Sequence, residues 1–98
     1  MIEIKEPKQF EWDHGNERKN SDKHNVSKEE AEQVFFNQPL LLLEDKMHSQ
    51  GENRFHALGK TDNERKLHIT FTIRNRKIRV ISARPMHKKE RKSYEENS

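Results

Sequence analysis

The strongest constraint on the fold is the alternation of side chains between Lys66 and Ile73. One set of alternate residues is apolar and the other is polar, so an extended chain here has one apolar face and one polar face. The apolar face carries Leu67, Ile69, Phe71 and Ile73, and the polar face carries His68, Thr70 and Thr72. This pattern is typical of a strand whose sheet packs on a core with one face only.

Three further segments have the composition of strands, and turn residues separate them from one another. They are residues 40–44, 54–59 and 77–83. Thr61-Asp62-Asn63 predicts a turn before the alternating strand, and Arg74-Asn75-Arg76 predicts a hairpin turn after it. These four segments and the turns between them therefore predict an antiparallel sheet of about four strands.

Three helices are predicted around this sheet. A first, weakly anchored helix extends from His14 to His24 and ends at Asn25, a residue that tolerates positive φ. A second helix begins at Ser27, which has the Ser-x-x-Glu spacing of a capping box, and Pro39 is its predicted stop. The charged segment 86–96 predicts a terminal helix.

Two helices before a meander of strands and one helix after it describe a small α+β fold. A short extended arm, with Phe10 and Trp12 at alternate positions, precedes the first helix. The length of 98 residues allows one core, so we expect a single domain over residues 1–98. We expect the helices to cover one face of the sheet and the exposed face to carry the function.

Composition excludes several kinds of protein. The absence of cysteine excludes a disulfide framework, a thiolate zinc site and a cysteine nucleophile. The longest apolar run, Leu40 to Leu43, is too short to span a membrane, and charged residues near Met1 exclude a signal-peptide pattern. No two histidines have ligand spacing on one helix, so we expect no metal and no cofactor. We expect a soluble cytoplasmic protein.

The charge is unevenly distributed along the chain. Residues 74–98 carry nine Lys and Arg against three Asp and Glu, a net charge of +6, whereas residues 1–73 carry eleven against fourteen, a net charge of −3. The clustered cations on the last hairpin are Arg74, Arg76, Lys77, Arg79 and Arg84. Guanidinium groups form bidentate bonds to phosphate, so the cluster predicts a phosphate-binding surface. The alternative is a solvated strand edge that its charges protect against aggregation.

Several sequence blocks carry a resemblance to a known family. They are residues 10–13, 23–27 and 29–31 near the N-terminus, residues 54–59 in the centre, and residues 78–84 followed by Glu90-Arg91 and Tyr94. In order and spacing these blocks closely resemble the BrnT family, the toxins of a type II toxin–antitoxin system. Two residues depart from the family pattern: Asn25 stands in place of the usual Gly, and Pro85 stands where we expect a helix-compatible polar residue.

The resemblance implies a RelE-like fold and a ribonuclease that cleaves RNA and inhibits translation. It also implies neutralisation by a BrnA-type antitoxin that carries a ribbon-helix-helix domain. The toxin–antitoxin complex is then expected to bind DNA only through this domain of the antitoxin. We expect a heterotetramer built on an antitoxin dimer. Only 29% of the residues are apolar, and such a thin core fits a domain that a bound antitoxin stabilises.

RNA cleavage without a metal requires a base at the ribose 2′-hydroxyl, stabilisation of the charged phosphate, and an acid at the leaving 5′ oxygen. We assign the phosphate to arginines on successive strands, above all to Arg84 and then to Arg54 and Arg74. His24 and His56 are the candidates for proton transfer. Further residues expected to bind the substrate are Lys23, Arg79, Arg76 and Lys77.

Each assignment has a structural alternative. Arg84 could anchor the last helix through a salt bridge to Glu90. His24 could interact with a helix dipole, and His56 shares its strand face with Leu58, which suits a core. For the whole chain, the alternative is a non-catalytic module whose basic hairpin binds nucleic acid or a partner.

Overall fold

The structure is a computed structural model, and it describes residues 9–13, 15, 24–47 and 51–97. The elements in these residues are α1 Lys28–Val34, β1 Leu41–Asp45, β2 Arg54–Lys60, β3 Lys66–Arg74, β4 Lys77–Pro85 and α2 Lys88–Glu96. The predicted α+β class and the four-stranded antiparallel sheet are confirmed. Neither of the two described helices is long and apolar enough to cross a membrane.

The sheet is a simple meander. Strands that follow one another in the chain are neighbours in the sheet, in the order β1-β2-β3-β4, and every pair is antiparallel. The turn between β3 and β4 consists of Asn75 and Arg76, whose φ angles of 53° and 64° are those of a tight two-residue hairpin turn. The hairpin predicted at this point is therefore confirmed.

Helix α1 begins as predicted and ends earlier than predicted. The Ser27 hydroxyl accepts from the Glu30 N–H at 3.1 Å, and the Glu30 carboxylate accepts from the Ser27 N–H at 3.2 Å, which completes the capping box. The helix ends at Val34 and does not continue to Pro39. The reason is that the Phe35 N–H bonds to the carbonyl oxygen three residues before it, so the last turn tightens and the helix stops.

The predicted first helix, over residues 14–24, lies almost entirely outside the described residues and is not confirmed. Within the described part of the chain, one helix precedes the sheet. Asn25 has a φ of 54°, so the positive φ predicted for this position is present. This residue stands in place of the family's usual Gly without conflict, because Asn also adopts the left-handed region.

The predicted extended arm is present. Phe10 forms a parallel bridge with Ile78, so the arm covers the outer edge of β4. The Trp12 indole donates a hydrogen bond of 2.7 Å to the carboxylate of Glu32 in α1. The arm therefore connects the helix to the last strand of the sheet.

The main core lies between α1 and the apolar face that the alternation in β3 predicted. Leu67, Ile69 and Phe71 are fully buried there, whereas Ile73 near the end of the strand is 40% exposed. The other fully buried large side chains of this core are Val26, Val34, Phe35 and Val80. The aromatic side chains at positions 35 and 71 pack edge to face, as core residues do.

The opposite face of the sheet is partly covered by α2, so the expectation of one fully exposed face is wrong. Tyr94 of α2 is buried and packs with Leu58 and Met86, and its hydroxyl donates a hydrogen bond of 2.7 Å to the Pro39 carbonyl oxygen. This small second core fixes the helix on the sheet. The remaining part of this face, beside α2, carries polar side chains.

Candidate functional site

A row of polar side chains crosses the sheet beside α2, with one residue from each strand and one from the helix. Its members, which we call the cross-sheet cluster, are Asp45, His56, His68, Arg84 and Glu90. The strand register explains the row, because His56 lies opposite Thr70 and His68 lies opposite Arg84. Side chains on one face of neighbouring strands lie within contact distance of each other.

The two histidines form a hydrogen-bonded stack at the centre of the cluster. The His56 Nε2 atom lies 2.9 Å from the Asp45 carboxylate, and the His68 Nε2 atom lies 3.0 Å from the His56 Nδ1 atom. The two ring centroids are 4.9 Å apart. A carboxylate only accepts, so we assign the proton on His56 to Nε2, and its Nδ1 then accepts from the Nε2–H of His68.

The remaining nitrogen of His68 has no hydrogen-bond partner. This Nδ1 atom is buried and lies 3.9 Å from the Glu90 carboxylate. Burial, together with the positive charge of Arg84, lowers the pKa of His68 from 6.5 to about 4, although Glu90 opposes this shift. His68 is therefore neutral at pH 7, which agrees with the assigned tautomers.

Arg84 and Glu90 form the other half of the cluster. The guanidinium donates two hydrogen bonds to the carboxylate, at 2.8 and 3.0 Å, and the His87 N–H donates a third at 2.8 Å. Burial raises the pKa of Glu90, but the bonds from Arg84 and His87 outweigh it and hold this pKa at about 2. The sequence offered a salt bridge to Glu90 as the alternative role of Arg84. This salt bridge is present, and it fixes the first turn of α2 on the sheet.

The pH dependence of stability follows from these two shifts. The unfolded chain protonates His68 near pH 6.5 and Glu90 near pH 4.5, whereas the folded chain protonates them near 4 and 2. Both groups therefore stabilise the fold at neutral pH, and this contribution is lost as the pH falls. We expect the free energy of unfolding in urea to fall by on the order of 2 kcal/mol between pH 7 and pH 4 because of His68.

The matched variant for this measurement is His68→Gln, which removes the ring that must take up a proton. Its unfolding free energy should change much less between pH 7 and pH 4.5 than that of the unmodified chain. A wild-type stability that stays constant over this range would contradict the assigned neutral state of His68.

The structure brings together some of the residues predicted for the site. Arg84 and His56 belong to the cluster, and Arg54 lies two residues before His56 on the same face of β2. Arg76 and Lys77 lie at the other end of β4 from Arg84, at the hairpin turn, where both are exposed. The turn residues therefore lie outside the cluster.

Two further predicted arginines are already paired with carboxylates. Arg74 donates to Glu52 at 3.0 and 3.2 Å, and these hydrogen bonds raise its pKa. Arg79 donates to Glu11 at 3.1 Å and to Asp13 at 2.6 Å. The acidic part of the chain thus offsets the positive charge of the predicted basic hairpin.

His24 is not placed in the cluster. Its carbonyl oxygen accepts from Arg65 at 3.3 Å, and the same guanidinium pairs with Glu30 in α1. Because α1 packs on the opposite face of the sheet, His24 lies away from the histidine pair. Lys23 lies outside the described residues.

Sequence reasoning did not select Asp45 and His68, which the structure places on either side of His56. His68 was visible on the polar face of the alternating strand, but its contact with His56 depends on the β2–β3 register. Among the described residues, no group of three or more His, Asp or Glu side chains is arranged to bind a metal ion. The described residues of the site therefore offer acid–base and guanidinium groups.

The fold and the cluster define a small α+β domain in which two histidines, an arginine and two carboxylates lie together on one face of the sheet. Comparison with known families gives a match to the ribonuclease toxin BrnT of type II toxin–antitoxin systems, over residues 12–90. This chain belongs to the BrnT family. The matched range contains the whole cross-sheet cluster, from Asp45 to Glu90. No curated protein matches the chain.

Family membership supplies the general function. Proteins of this family are ribonuclease toxins, so the chain is assigned ribonuclease activity at the level of the family. A type II toxin has an antitoxin as its partner. The geometry of the cross-sheet cluster indicates which residues of this chain are candidates for the chemistry.

Proposed function

We propose that this chain is an endoribonuclease that cleaves RNA without a metal ion and thereby inhibits translation. The observation that supports this chemistry is the cross-sheet cluster, in which a hydrogen-bonded histidine pair lies next to an arginine with bidentate geometry. Imidazoles transfer protons near neutral pH, and guanidinium groups stabilise phosphate charge. These are the functions that a metal-free cleavage requires.

Arg84 is the group assigned to the phosphate. Its two parallel hydrogen bonds to Glu90 have the geometry with which guanidinium also holds phosphate oxygens. In this proposal an RNA phosphate replaces the Glu90 carboxylate. Arg84 then stabilises the extra negative charge that develops when the 2′ oxygen attacks the phosphorus.

His56 is the group assigned to proton transfer with RNA. Its side chain is 27% exposed, compared with 12% for His68, so RNA reaches His56 first. Asp45 orients the ring, as a carboxylate does for a general base. The Nδ1 atom already contacts His68 and Thr70, so the ribose hydroxyl must replace one of these contacts.

The proposed partner is a BrnA-type antitoxin with a ribbon-helix-helix domain, in a heterotetramer that binds DNA through the antitoxin. The support for it is the family assignment together with the thin core of a chain with 29% apolar residues. A partner that buries additional surface stabilises such a chain. RNA is the proposed substrate, and the cytoplasm, where translation takes place, is the proposed location.

A second candidate function is a non-catalytic module that binds nucleic acid or a protein. One observation favours it: Arg74, Arg79 and Arg84 all have carboxylate partners within the chain. In this state the positive charges of these three arginines are neutralised within the chain. Under this alternative RNA remains intact, and any binding weakens steeply with added salt.

The test of the proposed function is cleavage of single-stranded RNA by the purified chain in the presence of EDTA. We expect cleavage in EDTA. We also expect expression of the chain in cells to arrest growth, and co-expression of a ribbon-helix-helix protein encoded by the adjacent gene to restore it. Intact RNA together with harmless expression would favour the second candidate. A His56→Gln preparation purified in the same way controls for contaminating nuclease, because the proposal predicts a rate about 10²- to 10⁴-fold lower for this variant.

A further inference from the structure

One group of exposed cations lies at the hairpin turn, at Arg74, Arg76 and Lys77, and a second group lies on α2. Those in its first half are Lys88, Lys89, Arg91 and Lys92, which we call the α2 cationic face. Within the described residues, the side chains of Lys88, Lys89 and Lys92 make no hydrogen bond or ion pair. Arg91 donates only to the Met86 carbonyl oxygen, at 3.4 Å. In contrast, Arg74, Arg79 and Arg84 are each paired with a carboxylate.

Most of the charges along α2 are in the opposite order to the one that stabilises a helix. Its first turn contains Lys88 and Lys89 beside Glu90, and its last turn contains Glu95 and Glu96 with no basic residue. The helix macrodipole favours acidic residues at the N-terminal end and basic residues at the C-terminal end. The helix macrodipole therefore does not explain the positions of these lysines.

The cationic face points away from the sheet but lies beside the cross-sheet cluster. Glu90 and Tyr94, four residues apart, are on the side of α2 that contacts the sheet. Lys88 and Lys92, also four residues apart, are on the opposite side and are exposed. Glu90, which contacts Arg84, lies in the first turn of α2, so a strand bound along this face passes around that turn to reach the Arg84 guanidinium.

We propose that the α2 cationic face binds consecutive backbone phosphates of single-stranded RNA and thereby positions one further phosphate at Arg84. This inference rests on the proposed function, to which it adds a substrate-positioning surface. Exposed Lys and Arg without internal partners suit contacts that depend on charge and not on base sequence. Arg84 would then act on the reacting phosphate, and the α2 lysines would hold its neighbours.

The test compares the RNA affinities of two chains that both carry His56→Gln, which keeps the RNA intact. One chain has the unmodified α2 cationic face, and the other also carries Lys88→Gln and Lys92→Gln. Binding of a fluorescein-labelled single-stranded RNA is measured by anisotropy over a series of KCl concentrations. We expect affinity to fall on the order of tenfold at about 100 mM salt, and the log–log salt slope to decrease by about 1.4, for two phosphate contacts on a single strand. Gln preserves helix propensity, so the melting temperature should be unchanged or higher.

The matched control is Lys28→Gln/Lys46→Gln, which removes the same charge at positions away from α2. We expect it to change the affinity less than twofold, since screened distant charges contribute little. Equal losses in both variants would overturn the proposal, because they would show a general effect of net charge. Loss of antitoxin binding with full retention of RNA binding would also overturn it. The binding surface and the ribonuclease mechanism can fail separately. If the chain with the unmodified face has a larger salt slope than the Lys88→Gln/Lys92→Gln variant, the surface is supported. If a chain with intact His56 nevertheless does not cleave RNA, the proposed ribonuclease mechanism fails.

Discussion

Replacing Arg84 with alanine is expected to lower the rate of RNA cleavage by about 10²- to 10³-fold, the usual effect of removing a group that stabilises transition-state charge. The guanidinium is 23% exposed and is already oriented by two hydrogen bonds to Glu90, so a phosphate can take the place of the carboxylate without reorienting the arginine. The measurement is kcat/KM on a single-stranded RNA in EDTA. Cleavage by Arg84→Ala at the wild-type rate would show that the site is elsewhere.

The same variant also removes a structural contact, which must be separated from the catalytic one. Arg84→Ala leaves the Glu90 carboxylate partly buried without its main partner, at a cost of about 1–3 kcal/mol in the free energy of unfolding. The double variant Arg84→Ala/Glu90→Gln removes that unpaired charge, while Gln can still accept from the His87 N–H. We expect stability to recover in urea denaturation and cleavage to stay lost. Recovery of both would mean that Arg84 only anchors α2.

Replacing His56 with glutamine is expected to lower cleavage by about 10²- to 10⁴-fold, the range for loss of a general acid or base. Glutamine can keep a hydrogen bond to Asp45, but it cannot take up a proton at neutral pH. The measurement is the single-turnover rate over a range of pH, with the free energy of unfolding as a check that the cluster is intact. A folded His56→Gln chain that cleaves at the wild-type rate would remove the histidine pair from the mechanism.

Asp45→Asn provides the graded comparison for this prediction. Asp45 positions His56 and does not contact RNA in the proposed mechanism, so its loss should reduce the rate less than loss of the ring. We expect this reduction in kcat with KM unchanged, because the ring that Asp45 orients acts in the chemical step. An Asp45→Asn chain that is less stable but cleaves with the wild-type kcat would show a purely structural role for Asp45.

Local signals in the sequence were sufficient for most of the fold. The alternation from Leu67 to Phe71 predicted which side of β3 is buried, and the Ser27 capping box predicted the beginning of α1. The hairpin turn at Asn75 was also predictable from its residues. In each of these places the deciding interaction joins residues that are close in the chain. The predicted end of α1 at Pro39 is wrong, because the helix already ends at Val34 in a tightened turn that no residue type in the sequence marks.

The candidate site was predictable only in part because its contacts depend on register. The β2–β3 turn is short, so the contact between His56 and His68 could have been inferred by counting back from it. The contact between Asp45 and His56 could not be inferred in this way, because the long polar segment that joins β1 to β2 does not fix the register of these strands.

The charge balance of the hairpin depends on contacts between distant parts of the chain. Arg79 pairs with Glu11 and Asp13, which are 68 and 66 residues away from it. A local count of charges places a net charge of +6 at the C-terminal end and does not show these partners. The count identified the basic region correctly, but only the fold shows which of its arginines are paired with carboxylates.

The most direct test of the central claim uses an RNA oligonucleotide with one cleavage site and a matched oligonucleotide that has a single 2′-deoxynucleotide at that site. Both are incubated with the purified chain in EDTA, and the product ends are identified by mass spectrometry. The proposed mechanism predicts that the first is cut to a 2′,3′-cyclic phosphate and a 5′-hydroxyl, and that the second is not cut at that position. Cleavage of both at equal rates, or cleavage that requires a divalent metal ion, would contradict it.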